Sequence, residues 1–336
     1  MTKRERVLSA VQHREPDKVP YFIQMTGQQQ EKLAVYYKDP NFMDKLGNHL
    51  GLRWISPGGY EEVSLGRWRD GYGLIWDKTG IEKDIGELVN TVLPEPTLHG
   101  YTFPEVDDEG LRQDLDAFIT SAPPDTCRLV SLGFAYYDRA WTMRGLENLM
   151  MDFLANPGFV DALLERILEI NLQLIDLSMP LEGIDGFHLA DDWGHQRGLT
   201  MGPHLWRRFI KPGVQEMFDR VKKYGKIVSL HSCGDITAIL PDLIGMGLDI
   251  YQTVQPDIYD LPAIKRQYGQ DLTFWGAIST QRLLPFGTPD EVRQVVKRTL
   301  EVMGKGGGYI AGPSHDIQHD TPVENMEALL EVLQGQ

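Results

Sequence analysis

The chain has 336 residues, a formal net charge of -15 at pH 7, 42% hydrophobic residues and 24% charged residues. This length and balance are typical of a globular protein with a large hydrophobic core, and they exclude a disordered chain. The acidic excess is spread along the chain without a lysine and arginine stripe, so it would repel the phosphate backbone of a nucleic acid. No apolar run reaches the length of a membrane span. We therefore expect neither nucleic acid nor a membrane as a partner.

The chain contains two cysteines, Cys127 and Cys233. A secreted disulfide framework needs more, so a reducing compartment with one reactive or metal-binding thiol is the better interpretation. Cys127 precedes an apolar segment and is expected to be structural. The N-terminus leads into an amphipathic pattern rather than an apolar signal segment. We therefore predict a cytoplasmic protein.

The predicted elements begin with a helix and a strand. Thr2 and Glu5 form a capping-box pattern, and Pro16 ends that helix before a strand at 19–23. Further strands are predicted at 53–56, 129–134, 186–190, 226–230, 250–254, 273–278 and 309–312. Helical patterns separate the later strands, at 203–224, 236–246, 261–268 and 289–303. This alternation indicates parallel strands joined by right-handed crossovers.

About eight strands alternating with helices in a chain of this length predict an α/β fold, a single (β/α)8 TIM barrel with an N-terminal helical extension. Residues 66–102 break the alternation, because aromatic residues alternate there around an Asp70-Gly71 turn, as in an antiparallel hairpin. We predict one domain over residues 1–336, with a β-hairpin insertion at about 66–102. The insertion should flank the barrel mouth rather than seal it.

Two local patterns near the C-terminus are explicit. Thr288 and Thr321 each offer an N-cap, followed by proline at the first helical position and glutamate three residues after the cap. The run Gly306-Gly307-Gly308 precedes a strand and lacks the GxGxxG order, so it predicts a tight turn rather than a phosphate-binding loop.

Two residues that can bind a metal follow the strand predicted at 226–230. His231 and Cys233 are two positions apart, so on an extended segment their side chains point to the same side and could share one ion. His315 follows the last predicted strand, and the ends of barrel strands form the catalytic face. His319 is an alternative ligand candidate. Taken singly, each of these residues could instead pack or form hydrogen bonds.

A polar loop follows the strand predicted at 186–190. Residues 191–198 bring two carboxylates, an imidazole, an amide and a guanidinium together. We predict Asp192, His195 and Gln196 as catalytic residues. The alternative is that Asp191 or Asp192 caps the turn that follows it. Since adjacent carboxylates point in different directions, we expect one of the two to face the cavity.

Together, these segments resemble the uroporphyrinogen decarboxylase superfamily, and in particular its corrinoid-dependent methyltransferase branch. The resemblance rests on residues 14–20, 191–198, 231–234, 273–281 and 306–310. It covers most of the chain, and the family's (β/α)8 fold agrees with the strand count.

The decarboxylases of this superfamily carry an arginine pair that binds substrate carboxylates. In this chain, Gln24 and Gln28 stand at the corresponding positions. Glutamine cannot form the bidentate, charge-assisted pairs that arginine forms with a carboxylate. We therefore do not expect porphyrinogen decarboxylation.

The methyltransferase branch is marked by a His-x-Cys pair and a later cysteine around zinc. His231 and Cys233 match the pair, and His315 stands where the later cysteine is expected. The resemblance therefore implies a zinc ion bound by these residues, because histidine and cysteine both bind zinc well. Asp192 or Gln196 could complete the ligand set. The resemblance also implies a corrinoid (cobalamin) carried by a separate corrinoid-binding protein.

We therefore expect a zinc-dependent methyltransferase that moves a methyl group from a small methylated substrate to the cobalt of a corrinoid protein. A methoxylated aromatic is the expected substrate, so the reaction would be an O-demethylation. Substrate binding should be mostly apolar and aromatic, and each aromatic could alternatively be plain core. The residues predicted to bind substrate are Phe22, Gln24, Met25, Tyr72, Trp76, Phe134, Tyr136 and Trp193.

Other functions stay open at this point. One is a methylcobamide:thiol methyltransferase, which the metal pair would serve equally well. Another is a decarboxylase-like lyase that acts on a smaller acid. A non-enzymatic corrinoid-binding module is disfavoured, because the chain lacks an evident Asp-x-His-x-x-Gly loop.

Overall fold

The structure is a computed structural model that describes residues 1–80 and 83–336. The strands are β1 Leu50–Ile55, β2 Glu61–Ser64, β3 Arg67–Arg69, β4 Ile75–Asp77, β5 Glu87–Leu88, β6 Cys127–Leu132, β7 Gly186–Ala190, β8 Gly194–His195, β9 Gly198–Leu199, β10 Ile227–His231, β11 Ile250–Val254, β12 Thr273–Ile278 and β13 Tyr309–Pro313.

The helices alternate with the longer strands. They are α1 Lys3–Val11, α2 Gly27–Tyr37, α3 Asp108–Ser121, α4 Tyr137–Arg144, α5 Leu146–Ala155, α6 Pro157–Ser178, α7 Gly202–Leu205, α8 Lys211–Lys223, α9 Leu240–Gly245, α10 Leu261–Tyr268, α11 Leu283–Phe286, α12 Pro289–Gly304 and α13 Val323–Gln334. Within the described part of the chain, none of these helices is long and apolar enough to cross a membrane.

The described residues form two compact units. The terminal unit comprises Met1–Gly51, Ala122–Arg128 and Leu248–Gln336, and the central unit comprises Leu52–Ser121 and Leu129–Gly247. Whether both belong to one domain, as expected from the sequence, stays a prediction.

The central unit is built on parallel strands in the order β1, β6, β7, β10. Leu129 of β6 and Ile227 of β10 both pair with Gly186 of β7. Strands β6 and β7 are buried along their whole length, as expected for parallel strands covered on both faces. Helices α6 and α8 pack against each other, and α8 packs against β10. The predicted strands in this unit are thus confirmed: the strand at 186–190 has its predicted bounds, and the ends of the other three are shifted by one to three residues.

The terminal unit is built on the parallel strands β11, β12 and β13. The strand predicted at 19–23 is wrong in extent, because Tyr21 forms a single bridge to Ala311 of β13. The main-chain nitrogen of Phe22 donates to the Ala311 carbonyl at 2.9 Å, and the nitrogen of Ala311 donates to the Pro20 carbonyl at 2.8 Å. Proline has no N–H group, so it cannot continue a ladder of this kind.

Two helix predictions need correction. The pattern at 203–224 is divided into α7, a π-helical turn at Trp206–Ile210 and α8, where Pro212 removes a helical donor. The helix predicted to start at Thr321 begins at Val323, with Pro322 at the N-cap position and no side-chain cap. The capping boxes at Thr2 and Thr288 are both confirmed.

The insertion forms an antiparallel sheet of β2, β3, β4 and β5, which confirms the predicted hairpin. Trp68 pairs with Trp76 across β3 and β4. The turn is longer than a two-residue Asp-Gly turn, because the loop closes around the carboxylate of Asp70. This carboxylate accepts hydrogen bonds from the main chain of Tyr72 and Leu74 and from the Trp76 indole. Residues 81 and 82 of the predicted insertion lie outside the described residues.

A buried ion pair joins the insertion to α4. Arg139 of α4 donates to Asp70 at 2.9 Å, and the exposed fractions of the two side chains are 5% and 4%. The same guanidinium lies over the ring of Tyr72 at 4.2 Å. Because separating the two buried charges would leave each without its partner, this ion pair holds the hairpin against α4.

We predict that Asp70→Ala lowers the free energy of unfolding by about 3–5 kcal/mol, because Arg139 would remain buried without its partner. Urea unfolding followed by circular dichroism measures this change. Glu169→Ala, which breaks the exposed pair of Glu169 with Arg166, is the control and should cost less than about 1 kcal/mol. Equal losses in the two variants would contradict this role of the buried pair.

Candidate functional site

The ends of two neighbouring strands of the central unit carry most of the predicted chemistry. Ala190 of β7 is in register with His231 of β10. The pairing continues beyond the strands, since the main-chain nitrogen of Asp191 donates to the His231 carbonyl at 3.0 Å. Cys233 then donates its main-chain N–H to the Asp192 carboxylate at 2.7 Å. The two polar loops found in the sequence therefore run side by side.

Two glycines allow this close approach of the loops. A Cβ atom on Gly234 would lie 2.2 Å from the carbonyl carbon of Gly194, and a Cβ atom on Gly194 would lie 2.7 Å from the Cys233 carbonyl oxygen. Gly234 also has φ of +81°, a left-handed conformation that side chains disfavour. Glycine at these positions sets how closely Asp192 approaches Cys233.

Asp191 fixes the start of α4. Its buried carboxylate accepts hydrogen bonds from the main-chain N–H groups of Tyr136, Tyr137 and Asp138 at 2.9–3.0 Å. It also accepts the indole N–H of Trp193. These donors are the unpaired groups at a helix N-terminus, where a negative charge is stabilised. Asp191 therefore caps a helix that lies far away in the sequence, and not the turn that follows it, as the capping alternative had expected.

Asp138 lies in the same group of carboxylates. Its oxygens accept the main-chain N–H of Asp192 at 2.7 Å and the indole N–H of Trp141 at 2.7 Å. Burial and the charges of Asp191 and Asp192 raise the pKa of Asp138 well above its usual value. Burial also raises the pKa of Asp191, against the effect of its hydrogen-bond donors. A proton is therefore favoured in this carboxylate group.

His231, Cys233 and Asp192 bring three kinds of ligand atom together. The Nε2 atom of His231 lies 3.6 Å from Sγ of Cys233 and 3.3 Å from Oδ1 of Asp192. Zinc binds nitrogen at about 2.05 Å, sulfur at about 2.3 Å and oxygen at about 2.1 Å. At tetrahedral angles, two ligands of one zinc ion are then about 3.6 Å apart for nitrogen and sulfur, and about 3.4 Å apart for nitrogen and oxygen. The observed spacings therefore fit one shared zinc ion.

The electrostatics of this group also favour a cation. Burial by itself lowers the pKa of His231, but the negative charge of Cys233 and the hydrogen bond with Asp192 outweigh it and raise this pKa well above its usual value. A thiolate and a carboxylate that face one imidazole are neutralised by a proton or by a metal ion at that place.

The other predicted catalytic residues lie on a ribbon beside this group. His195 and Gln196 are exposed, at the turn between β8 and β9. Nδ1 of His195 accepts the main-chain N–H of Arg197 at 3.2 Å. Their catalytic roles stay predictions.

The predicted third ligand belongs to the terminal unit. His315 lies two residues after the end of β13, and its Nδ1 atom accepts the main-chain N–H of Asp316 at 2.8 Å. This leaves Nε2 as the ring atom oriented for another partner. His319 is exposed, and its carbonyl accepts a hydrogen bond from Lys32 at 2.9 Å.

The residues predicted to bind substrate differ in their surroundings. Trp76 and Phe134 stack in a tilted pair with ring centroids 4.9 Å apart in the central unit, where Tyr72 lies under Arg139. Trp193 is fully buried against Trp206.

Tyr136 is also buried, and its ring fills the space beside Gly213, where a Cβ atom would collide with it. Burial raises its pKa. Both Trp193 and Tyr136 therefore have surroundings that favour a structural role, since both rings pack inside the core and the Trp193 indole donates to Asp191.

The remaining predicted substrate residues, Phe22, Gln24 and Met25, lie in the terminal unit. Phe22 contacts Trp275 edge to face at 5.5 Å, and Gln24 accepts a hydrogen bond from the main chain of Ile317 through its carbonyl. Met25 is buried. Their role in substrate binding stays a prediction.

His188 was missed by the sequence analysis. It is buried at the centre of β7, its Nδ1 atom lies 2.8 Å from Oγ of Ser229, and its ring centroid lies 6.4 Å from that of His231. Burial, and then the charge of His231, lower its pKa to about 3. Its signal in the sequence was a polar residue on a buried strand, two positions before the strand end. It is therefore a neutral neighbour of the candidate metal ligands.

Residues 135–335 match the family model described as Uroporphyrinogen decarboxylase (URO-D). This match covers more than half of the chain. The chain belongs to the uroporphyrinogen decarboxylase family. The matched residues include the loops that carry Asp192, His231 and Cys233, so the candidate site lies within the family domain.

Relatives with different names match parts of the chain. The Methylated-thiol--coenzyme M methyltransferase of Methanosarcina mazei is 28% identical over 207 residues, which are 60% of this chain and 51% of that protein. Methylcobamide:CoM methyltransferase MtaA of Methanosarcina barkeri is 30% identical over 130 residues, 39% of this chain and 36% of that protein. A Uroporphyrinogen decarboxylase of Coxiella burnetii is 22% identical over 276 residues, 77% of this chain and 73% of that protein.

The chain thus spans about half of the length of the first relative and about a third of the second. A solved structure described as a methyltransferase from Methanosarcina mazei aligns with a TM-score of 0.76 and 19% identity, and the alignment covers 100% of this chain and 99% of that chain. At this identity the likeness concerns the fold. Together with the parallel strands and alternating helices, it confirms the predicted TIM-barrel-like α/β fold.

We predict that Gly234→Ala separates the two loops and weakens zinc binding about 10- to 100-fold, the range typical of residues that support metal ligands. Gly225→Ala is the matched control, because Gly225 also has a positive φ but has open space around its Cα atom. Both variants carry left-handed strain of about 1–2 kcal/mol, but the collision with Gly194 is specific to Gly234→Ala. Competition with a fluorescent chelator measures the affinity, and equal affinity of the two variants would contradict the prediction.

Proposed function

We propose that this protein is a metal-dependent methyltransferase that moves a methyl group from a small methylated substrate to the cobalt of a corrinoid on a partner protein. The observation that carries the proposal is the 3.6 Å spacing of His231 Nε2 and Cys233 Sγ beside the Asp192 carboxylate. The names of the methyltransferase relatives support the same class of reaction. The cytoplasmic location expected from the sequence is part of the proposal, since Cys233 must stay reduced to bind a metal.

We further propose that His231, Cys233 and His315 are the zinc ligands. They offer two imidazoles and one thiolate, a donor set that suits zinc and leaves a coordination position open for a substrate. Asp192 is the alternative third ligand or the fourth, because its Oδ1 atom is also at a suitable distance from His231. Zinc, when bound, would act as a Lewis acid on the atom that carries the methyl group.

The remaining residues of the site would position these ligands. Asp192 accepts the main-chain N–H of Cys233, so it orients the thiolate as well as facing the imidazole of His231. Asp191 holds the main chain of His231 on one side and the start of α4 on the other. His195 and Gln196, on the exposed ribbon, are proposed to contact the substrate or the leaving group.

A methoxylated aromatic is the proposed substrate, so the reaction would be an O-demethylation. The aromatic pair of Trp76 and Phe134 in the central unit supports this, because Phe134 is half-buried and its ring can contact an aromatic substrate. The glutamines at 24 and 28 lack the charge needed to bind several carboxylates, so a polycarboxylate tetrapyrrole is not proposed.

A methylated thiol or a free thiol is the second candidate substrate. The relatives named for methylated thiols and for transfer to CoM favour it. The same metal ligands would serve it, because zinc binds sulfur as readily as it polarises oxygen. The two substrates differ in the product that is formed, so they can be separated by assay.

We predict that His231→Ala and Cys233→Ser each lose their bound zinc, and that His315→Ala does so too. Elemental analysis of the purified variants measures the zinc content per chain. His99→Ala, at an exposed histidine of the insertion, is the control and should keep its zinc. If His315→Ala keeps one zinc per chain while Asp192→Ala or His319→Ala loses it, then the proposed third ligand is wrong.

We predict that the zinc-loaded protein methylates added cob(I)alamin with 2-methoxyphenol as the methyl donor. Visible spectroscopy follows the methylcobalamin that forms, and chromatography follows the catechol. The reverse pairing, methylcobalamin with a thiol acceptor, identifies the second candidate by its thioether product. Full activity in metal-free protein would contradict the metal-dependent mechanism for either substrate.

A further inference from the structure

Trp54 is an exposed tryptophan on a strand of the central unit. Its neighbour Arg53 pairs with Asp114 of α3. The Arg53 side chain therefore lies on the face of β1 that α3 covers. Since successive side chains of a strand point to opposite faces, Trp54 points to the face away from that helix. Trp54 remains 47% exposed on that face. The indole is thus exposed on the face of β1 that α3 does not cover. This exposure indicates open space beside the ring.

The ring of Trp54 lies next to the candidate metal ligands. It contacts the ring of His188 edge to face, with centroids 6.3 Å apart, and His188 contacts His231 in the same manner at 6.4 Å. Gly133 makes room for the indole, because a Cβ atom at that position would lie 3.2 Å from it. The ring of His188 therefore lies between the indole of Trp54 and the imidazole of His231.

A buried hydroxyl lies on the same face of the sheet as His188. Ser131 of β6 and Ser229 of β10 are both in register with His188 of β7, so the three side chains lie on one face of the sheet. Ser229 is paired with His188 at 2.8 Å. Ser131 is fully buried, and its Oγ atom has no hydrogen-bond partner among the described residues. A buried hydroxyl in this state is costly unless a ligand or water pairs with it.

We propose that Trp54, His188 and Ser131 line a recess that binds a phenolic ring next to the metal ligands. This rests on the proposed function, because it names the class of methylated substrate that this site accepts. The indole and the imidazole supply edge and face contacts for the ring, and the Ser131 hydroxyl pairs with the phenolic oxygen. Arg53 points to the other face of β1, so it offers no charge in the recess to an anionic thiol.

The first experiment measures the binding of 2-methoxyphenol by calorimetry in the zinc-loaded protein. Trp54→Leu keeps an apolar side chain over Gly133 but removes the ring, and it should weaken binding at least about tenfold, whereas Trp54→Phe should stay within about threefold of the native protein. Phe286→Leu, at a phenylalanine that is 79% exposed, is the control and should bind as the native protein does. Equal affinity of Trp54→Leu and the native protein would overturn the proposal.

The second experiment tests the hydroxyl. Ser131→Ala should weaken the binding of 2-methoxyphenol about fivefold and leave methoxybenzene, which has no phenolic oxygen, unchanged. Equal losses for the two ligands would mean that Ser131 is structural, and would overturn its assignment.

The zinc content and the methylation of cob(I)alamin distinguish this proposal from the proposed function. If the native protein binds 2-methoxyphenol through Trp54 but transfers no methyl group, the proposed function is contradicted and the recess is supported. Methyl transfer from a thioether in a native protein that does not bind 2-methoxyphenol would support the methyltransferase and overturn the recess.

Discussion

The candidate site depends on a single buried carboxylate, that of Asp191. Its side chain accepts the N–H groups at the start of α4, while its main-chain N–H extends the pairing of β7 to the His231 carbonyl of β10. One residue therefore joins two strand ends and a helix. The price of burying this charge is offset by the donors around it, including the Trp193 indole. Because Asp191 points inward, its neighbour Asp192 points toward His231 and Cys233.

This arrangement explains why the proposed chemistry is concentrated on short loops. The loop after β7 supplies a carboxylate, and the loop after β10 supplies an imidazole and a thiol, at spacings that fit zinc. Gly194 and Gly234 bring the main chains of these two loops into contact, so the ligands lie on segments that support each other. The insertion is held to the same region, since Arg139 of α4, the helix that Asp191 caps, pairs with Asp70.

Much of the fold could be predicted from the sequence. The strands at Gly186–Ala190, Ile250–Val254 and Thr273–Ile278 were predicted at their observed bounds, because apolar runs between turn residues define them locally. The strand expected at 19–23 failed because Pro20 limits pairing to a bridge. The helix expected from 203 to 224 is interrupted by a π-helical turn before Pro212, a consequence of backbone hydrogen bonding that apolar periodicity does not encode.

The site was predictable where it depends on local spacing. His231 and Cys233 are two residues apart on a strand end, and the structure brings their ligand atoms together. The role of Asp191 was not predictable in this form, because its partners at Tyr136 to Asp138 are more than 50 residues away in the sequence. His188 was missed for the same reason, since its closeness to His231 follows from the pairing of β7 with β10.

The central claim, a zinc site built on one cysteine and neighbouring nitrogen or oxygen ligands, is tested most directly by X-ray absorption at the zinc edge. For the native protein loaded with one zinc per chain, the account predicts one sulfur at about 2.3 Å and the remaining ligands at about 2.0–2.2 Å. The sulfur contribution should disappear in Cys233→Ser and persist in Cys127→Ser, which alters the buried cysteine. A zinc environment without sulfur in the native protein would contradict the account.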